Sequence, residues 1–422
     1  MKPTTQHLRQ RLATAPEPDS PLLRRFLRYV TFDTQSSPTS GTHPSTPGQL
    51  VFGHAIADEL RALGAQDVRQ TEDGYVYAAI PASPGRAGED AIGFLAHLDT
   101  AAEAAGAGVR PQVLHYGGGI LPLGNSGKVL DPAVMPGLGD RAGRTLVVTD
   151  GTTLLGADDK AGVAILVTLA GELLAPDAPP HGPVRLAFTP DEEIGEGPRG
   201  FDIAGFGAAA AFTVDGGNPD ALQCSNFNAA YATFDVRGAA VHPGGAKGTM
   251  VNAIKVAAEI LAALPPEESP ERTEGLEGFF HPDTFEGSVG AARLGMLVRD
   301  FDAAGFNRRK DKLLAIAGDL RARYGEGTVS LTIRDQYRNM DDVMRDHQDL
   351  VKAALAAIAA EGLKPRLAPV RGGTDGATLS WRGLPCPNLG TGGYAAHGER
   401  EYLVVEEFET AYRIVRRLAC RS

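Results

Sequence analysis

Along this chain, short apolar runs repeatedly end in a carboxylate or a histidine. Ala91–Ala96 runs into His97-Leu98-Asp99, Val184–Thr189 into Pro190-Asp191-Glu192-Glu193, and Ala208–Val214 into Asp215-Gly216-Gly217. Thr145–Val148 leads by a short loop to Gly156-Ala157-Asp158-Asp159, and the spacing predicts a helix over Lys160–Leu174. Continuous apolar runs of this length fit strands buried on both faces, and their alternation with helices predicts an α/β sheet. Such sheets collect ligands at the carboxyl ends of their strands. Parallel pairing would therefore gather these polar side chains at one edge. Helical spacing also marks Pro21–Phe32 and Gln49–Leu63, the second stopped by Gly64.

The pattern changes after Asn218. Ala229–Arg237 alternates as a strand, Met250–Leu264 is helical, and Phe285–Ala292 with Arg293–Arg299 reads as a hairpin. Asp302–Tyr324 is helical and Thr328–Asp335 alternates again. The order β-α-β-β-α-β is the ferredoxin-like arrangement. It predicts an α+β domain inserted at 227–338 between two segments of a main domain, 1–226 and 339–422. The second segment carries a helix over His347–Glu361, the Gly-rich Arg371–Gly376, an apolar strand near Asn388 and a closing helix over Val405–Leu418. The first 20 residues are polar and rich in Pro and Thr, the pattern of a frayed arm.

Composition narrows the function. Among 422 residues, 41 Lys and Arg stand against 52 Asp and Glu, a formal charge of −11. Nucleic acids and anionic membranes need clustered positive charge, so neither is the expected partner. The 3 cysteines form no C-x-x-C pair and cannot build a disulfide framework. With no apolar signal region and no stretch long enough to span a bilayer, the expectation is a cytoplasmic protein.

The strand-end residues carry the chemistry. His97 and Asp99 stand two apart, so on a strand they share a side, and a ligating histidine needs its second nitrogen held. The alternative is a strand-end histidine beside a capping aspartate. Asp158 and Asp159 precede a helix, where aspartates cap well; the chemical reading makes Asp158 a carboxylate bridging two metal ions. Of the adjacent Glu192 and Glu193, one can bind a metal while the other faces an attacking water as general base, or both belong to a solvated turn. Asp215 and His397 complete two histidines and three carboxylates, a set that suits a pair of divalent ions, zinc first. Gly195-Glu196-Gly197-Pro198-Arg199-Gly200 matches a dinucleotide fingerprint by letter only, because Pro198 and the acidic segment before it spoil a pyrophosphate cradle.

These motifs resemble the peptidase T family of bacterial aminotripeptidases, within the zinc exopeptidase superfamily that includes aminoacylase and glutamate carboxypeptidase. The resemblance runs through HLDT (His97–Thr100), TTLLGADDKAG (Thr152–Gly162), TPDEEIG (Thr189–Gly195), TVDGG (Thr213–Gly217), VHPGGAKGTMVNA (Val241–Ala253), RGGTDGA (Arg371–Ala377) and GLPCPNLGTGGYAAHG (Gly383–Gly398). It implies a mixed-sheet zinc-exopeptidase catalytic domain with a ferredoxin-like lid inserted. It implies two Zn²⁺ per chain, with Co²⁺ or Mn²⁺ fitting the same ligands. Asp158 would bridge, His97 and Asp215 would complete one site, and Glu193 and His397 the other. Glu192 would be the general base toward a metal-bridged water, and Asp99 would orient His97. His242 would reach the substrate from the lid, and Arg299 and Arg371 would clamp its terminal carboxylate. The implied reaction removes the N-terminal residue from tripeptides, and the resemblance allows a homodimer. A dipeptidase, carboxypeptidase or deacylase on the same scaffold, or a silent peptide-binding homologue, stays open.

Overall fold

Ile92–His97 is buried residue by residue along its whole length, as a strand covered on both faces must be. In the computed structural model, which describes residues 20–420, it lies parallel to Val184–Thr189 on one side and to Ala210–Val214 on the other. The register sets His97 opposite Thr189, so both runs end at the same sheet edge. The full sheet has eight strands, in the order Gln66–Gln70, Val76–Ile80, Val184–Thr189, Ile92–His97, Ala210–Val214, Asn388–Leu389, Ala221–Asn226, Arg366–Val370. Val76–Ile80 runs antiparallel to Val184–Thr189, which makes the sheet mixed.

The helix after Asp158 spans Ala157–Leu173 and is buried on nearly every side, because it packs on the sheet and against the helices Pro21–Tyr29 and Pro47–Leu63. Thr145–Val148 does not join the eight-stranded sheet. It sits in a separate four-stranded sheet, in the order Gly393–Tyr394, Tyr402–Val404, Thr145–Val148, Gln112–His115. Its Leu146 and Val148 enter a cluster with Leu114, Tyr402 and Val404. Apolar periodicity marks a buried strand but leaves its pairing partner open.

Contacts divide the chain into two units. One comprises the chain to Cys224 with Val343–Ala368 and the segment from Thr374 onward; the other is Ser225–Asp342 with Pro369–Gly373. The second unit thus takes in part of the Gly-rich stretch, beyond the range 227–338 read from the sequence. Its antiparallel sheet runs Phe279–Gly287, Ala291–Asp300, Asn228–Arg237, Val329–Tyr337, with the helices Ala253–Ala262 and Ala303–Tyr324 between strands in chain order. Phe234, Val256, Ile260, Leu294, Met296 and Leu313 form its core. The hairpin turn lies at residues 288–290, where the Ser288 N–H donates to the Ala291 carbonyl at 2.7 Å. The sequence placed the break at Arg293, but that side chain is a mid-strand residue pairing with Asp235 at 2.7 Å.

Among the described residues no helix is long and apolar enough to cross a membrane. Residues 1–19, nearly all of the arm read at the N-terminus, and residues 421–422 lie outside the described residues.

Candidate active site

Three sheet strands and two loops of the first unit deliver the polar side chains. His97 ends its strand with a buried imidazole. Its Nε2 lies 2.8 Å from Asp158 Oδ1 and 4.0 Å from Asp215 Oδ1. Its Nδ1 faces Asp99, at 3.1 Å from the carbonyl oxygen and 3.3 Å from carboxylate Oδ1. The same Asp99 carboxylate accepts the backbone N–H groups of Glu192 at 3.0 Å and Glu193 at 3.1 Å.

Asp158 and Asp159 open the helix with non-helical backbone angles, and the peptide bond between them is cis. Their carboxylates diverge. Asp158 lies between two imidazoles, with His397 Nε2 3.7 Å from its second oxygen. Asp159 is fully buried and accepts the N–H groups of His97 at 3.2 Å and Gly162 at 3.1 Å, tying the helix start to the strand end. A Cβ at Gly162 would stand 2.0 Å from the Val214 carbonyl and 2.6 Å from both Asp159 oxygens, so only glycine permits this approach. The loop before Asp158 is held from a distant point in the sequence. The buried Glu401 carboxylate accepts the N–H groups of Leu155 and Gly156 at 2.7 Å each and of Asp158 at 3.0 Å.

Glu192 and Glu193 occupy a single 3₁₀ turn over Glu192–Ile194. The turn starts at Asp191, whose φ of 58° is the left-handed region. Asp191 is buried and accepts from Ser45 N–H at 2.7 Å, Ser45 Oγ–H at 2.5 Å, Gln49 Nε2 at 2.7 Å and His43 Nδ1 at 2.9 Å. Four donors thus fix the turn that aims both glutamates. Glu193 Oε2 lies 2.8 Å from His397 Nε2.

The electrostatics follow from crowding. Burial pulls the His97 imidazole down, but Asp158, Asp99 and Asp215 outweigh it and hold the ring well above its usual range. The carboxylates of Asp158 and then Glu193 raise His397 to about 11. Burial pushes Asp158 up, but the two imidazoles hold it far below the ordinary carboxylate range. The others rise. Burial and then Asp158 lift Asp215, and burial and then Asp375 lift Glu192. Burial is the chief cause lifting Glu401 to about 7, against the backbone N–H groups it accepts, and Asp375 to about 7, against the Thr189 hydrogen bond. Asp375 lines a small buried pocket with His97, Asp159, Glu192 and Asp215.

Carboxylates so crowded call for cations. His97, Asp158 and Glu193 bring ligand atoms within 4.8 Å of one another, as do His97, Asp159 and Asp215. Glu193 Oε1 is buried with no hydrogen-bond partner, which a metal ion would supply. The donors are nitrogen and oxygen without thiolate, a set that suits catalytic divalent ions.

The structure therefore gathers His97, Asp158, Glu193, Asp215 and His397, with Asp99 and Glu192 beside them. His242, Arg299 and Arg371 lie in the second unit. There His242 Nδ1 accepts the Gly244 N–H at 3.1 Å. Arg299 is buried against Tyr337 and donates to the carbonyls of Ala230 and Val298, both at 3.2 Å. Arg371 donates to the Gly275 and Glu277 carbonyls at 2.9 and 3.1 Å and to Thr273 Oγ1 at 3.0 Å. The sequence reading missed the supporting roles of Asp159, Asp191, Asp375 and Glu401. Their adjacency to Asp158, Glu192, the Gly-rich segment and His397 is the only sequence signal they carry.

Comparison with known proteins is consistent throughout. The family described as Peptidase family M20/M25/M40 matches residues 147–421. The protein named Peptidase T from Shouchella clausii is 47% identical over 398 residues, covering 94% of this chain and 97% of that relative. The aminopeptidase PepT of Bacillus cereus shares the fold at a TM-score of 0.72 and 22% identity, covering 94% of this chain and 97% of that one. The Bacillus subtilis YXEP protein, a dinuclear metal binding peptidase, shares it at 0.63 and 17% identity, covering 94% and 96%.

Proposed function

The chain belongs to the Peptidase M20/M25/M40 family and, within it, to peptidase T, and we propose that the site around Asp158 is where it works. It is a hydrolase, a tripeptide aminopeptidase that removes the N-terminal residue. One arrangement carries the assignment to this site: Asp158 stands between His97 and His397, with Asp215 and Glu193 behind them and Glu192 alongside.

In this reading Asp158 would hold both ions, His97 and Asp215 would complete one position, and Glu193 and His397 would complete the other. Two divalent ions, zinc by ligand type, polarise a carbonyl and acidify water when bound. The chain's own residues do the rest. Glu192 takes the proton from the attacking water and hands it to the leaving amine. Burial raises its carboxyl, which suits a proton carrier near neutral pH. Asp99 keeps the His97 ring in one tautomer and fixes the peptide N–H groups of Glu192 and Glu193, so ligand and base stay in register. Asp191 and its four donors hold the same turn from the other side. His242, Arg299 and Arg371, all in the second unit, are the residues we propose for substrate binding.

A product assay on a tripeptide of three different residues, Leu-Ala-Phe, and its N-acetylated form tests the reading. Release of free leucine from Leu-Ala-Phe, with no cleavage of the N-acetylated peptide, is expected. Release of acetate from the acetylated form would mean a deacylase, and release of phenylalanine a carboxypeptidase.

A further inference from the structure

Glu401 lies four residues after His397, on the loop that delivers one imidazole to the site. Its carboxylate makes three hydrogen bonds, all to backbone N–H groups of the loop that delivers Asp158. It is 2% exposed, and these partners are 243 to 246 residues away in sequence. Two donors precede Asp158 at Leu155 and Gly156, and the third is Asp158 itself. Tyr402–Val404 pairs with Gly393–Tyr394 and with Thr145–Val148, but residues 395–401 and 149–156 beyond those strands are irregular. Gly156 has φ 79°, Ala395 φ 55° and His397 φ 64°, all left-handed. Without a tie, loops of this kind drift relative to one another, and a 1 Å drift breaks a metal site.

We propose that Glu401 is a positioning residue that locks the Asp158 loop to the His397 loop and thereby sets the affinity of the ion held by Asp158, Glu193 and His397. A carboxylate suits the task because it offers two acceptor oxygens and no donor, matching three N–H groups converging on it. Glutamine would turn an N–H₂ toward those donors and lose at least one bond. The ion at His97 and Asp215 depends less on this tie, because those residues end sheet strands.

This inference rests on the two-ion reading of the site, so the test measures both. Chelated wild type and Glu401→Gln are titrated with Zn²⁺ against a chromogenic chelator, and amide hydrogen exchange is followed at residues 155–158. Wild type should bind two ions. The variant should bind one ion about 10–100-fold more weakly and the other with a smaller loss, with faster exchange at Leu155, Gly156 and Asp158. Wild type binding fewer than two ions would sink the two-ion reading and this inference with it. Two unchanged affinities in the variant would sink this inference alone. A purely structural role is separated by Ile165→Val, a buried core change that lowers stability and should leave both zinc affinities unmoved. If Glu401→Gln does not fold, Glu401→Asp, which keeps the charge but draws it back by a methylene, takes its place. Failure of both to fold would assign Glu401 to stability and overturn the proposal.

Discussion

Asp99 spans the two carriers of the site: its carboxylate accepts the Glu192 N–H at 3.0 Å and the Glu193 N–H at 3.1 Å, with one oxygen 3.3 Å from His97 Nδ1. One side chain therefore links the end of strand Ile92–His97 to the turn bearing both glutamates. An amide at this position can accept at one oxygen only. Asp99→Asn should cost about 10–100-fold in zinc affinity and lower kcat as well. Metal titration and steady-state kinetics on the variant check both. A change in kcat with metal affinity intact would limit Asp99 to the Glu192 turn.

Glu192 is assigned proton transfer and no metal. Glu192→Gln should therefore retain both zinc ions while kcat falls by about 10²–10⁴-fold, with KM little changed. Metal content and single-turnover rates decide it. Loss of an ion in this variant would make Glu192 a ligand instead.

Bound cations should also stabilise the fold, since Asp158, Glu193 and Asp215 crowd a buried space with two imidazoles. At about 1,000-fold excess of ion over Kd, binding to the native state alone adds about 4 kcal/mol. Chelation should lower Tm, and Zn²⁺ should restore it. A Tm unmoved by chelator, in protein shown to be metal-free, would contradict the placement of ions in this cluster.

Asp375 gives a pH signature in the metal-free protein. Burial raises its carboxyl from 3.8 to about 7. The folded state then keeps a proton that the unfolded chain releases, so this group's contribution is full below the unfolded value and is lost as pH rises through about 7. Asp375→Asn carries no such proton. Between pH 4.5 and pH 7.5 the chelated wild type should lose on the order of 3 kcal/mol more than the variant. Urea unfolding at both pH values measures it, and equal losses would refute the buried-acid account.

Much of this was legible in the sequence because three of the expected ligands stand at or just after the end of an apolar run. His97, Glu193 and Asp215 follow strands Ile92–His97, Val184–Thr189 and Ala210–Val214, which are neighbours in one sheet. The strand before Asp158 was legible as a strand, but its place in a second sheet was not, because hydropathy encodes burial and not pairing. The hairpin turn was misplaced because Arg293, an outward-facing strand residue, looks like a break. Glu401 left no signal beyond its place four residues after His397: its task is to satisfy backbone donors more than 240 residues away, and such a bond has no periodicity. Asp191 stands beside Glu192 in the sequence, yet the donors that define it come from His43 and Ser45 before the helix Pro47–Leu63 and from Gln49 in its first turn.

Asp158 is the hinge of the account, the one carboxylate placed between both imidazoles. Elemental analysis of purified wild type beside Asp158→Ala tests this most directly. The account predicts two divalent ions per wild-type chain and loss of both, with activity, in a variant that stays folded by circular dichroism. Two ions retained without the Asp158 carboxylate would contradict it.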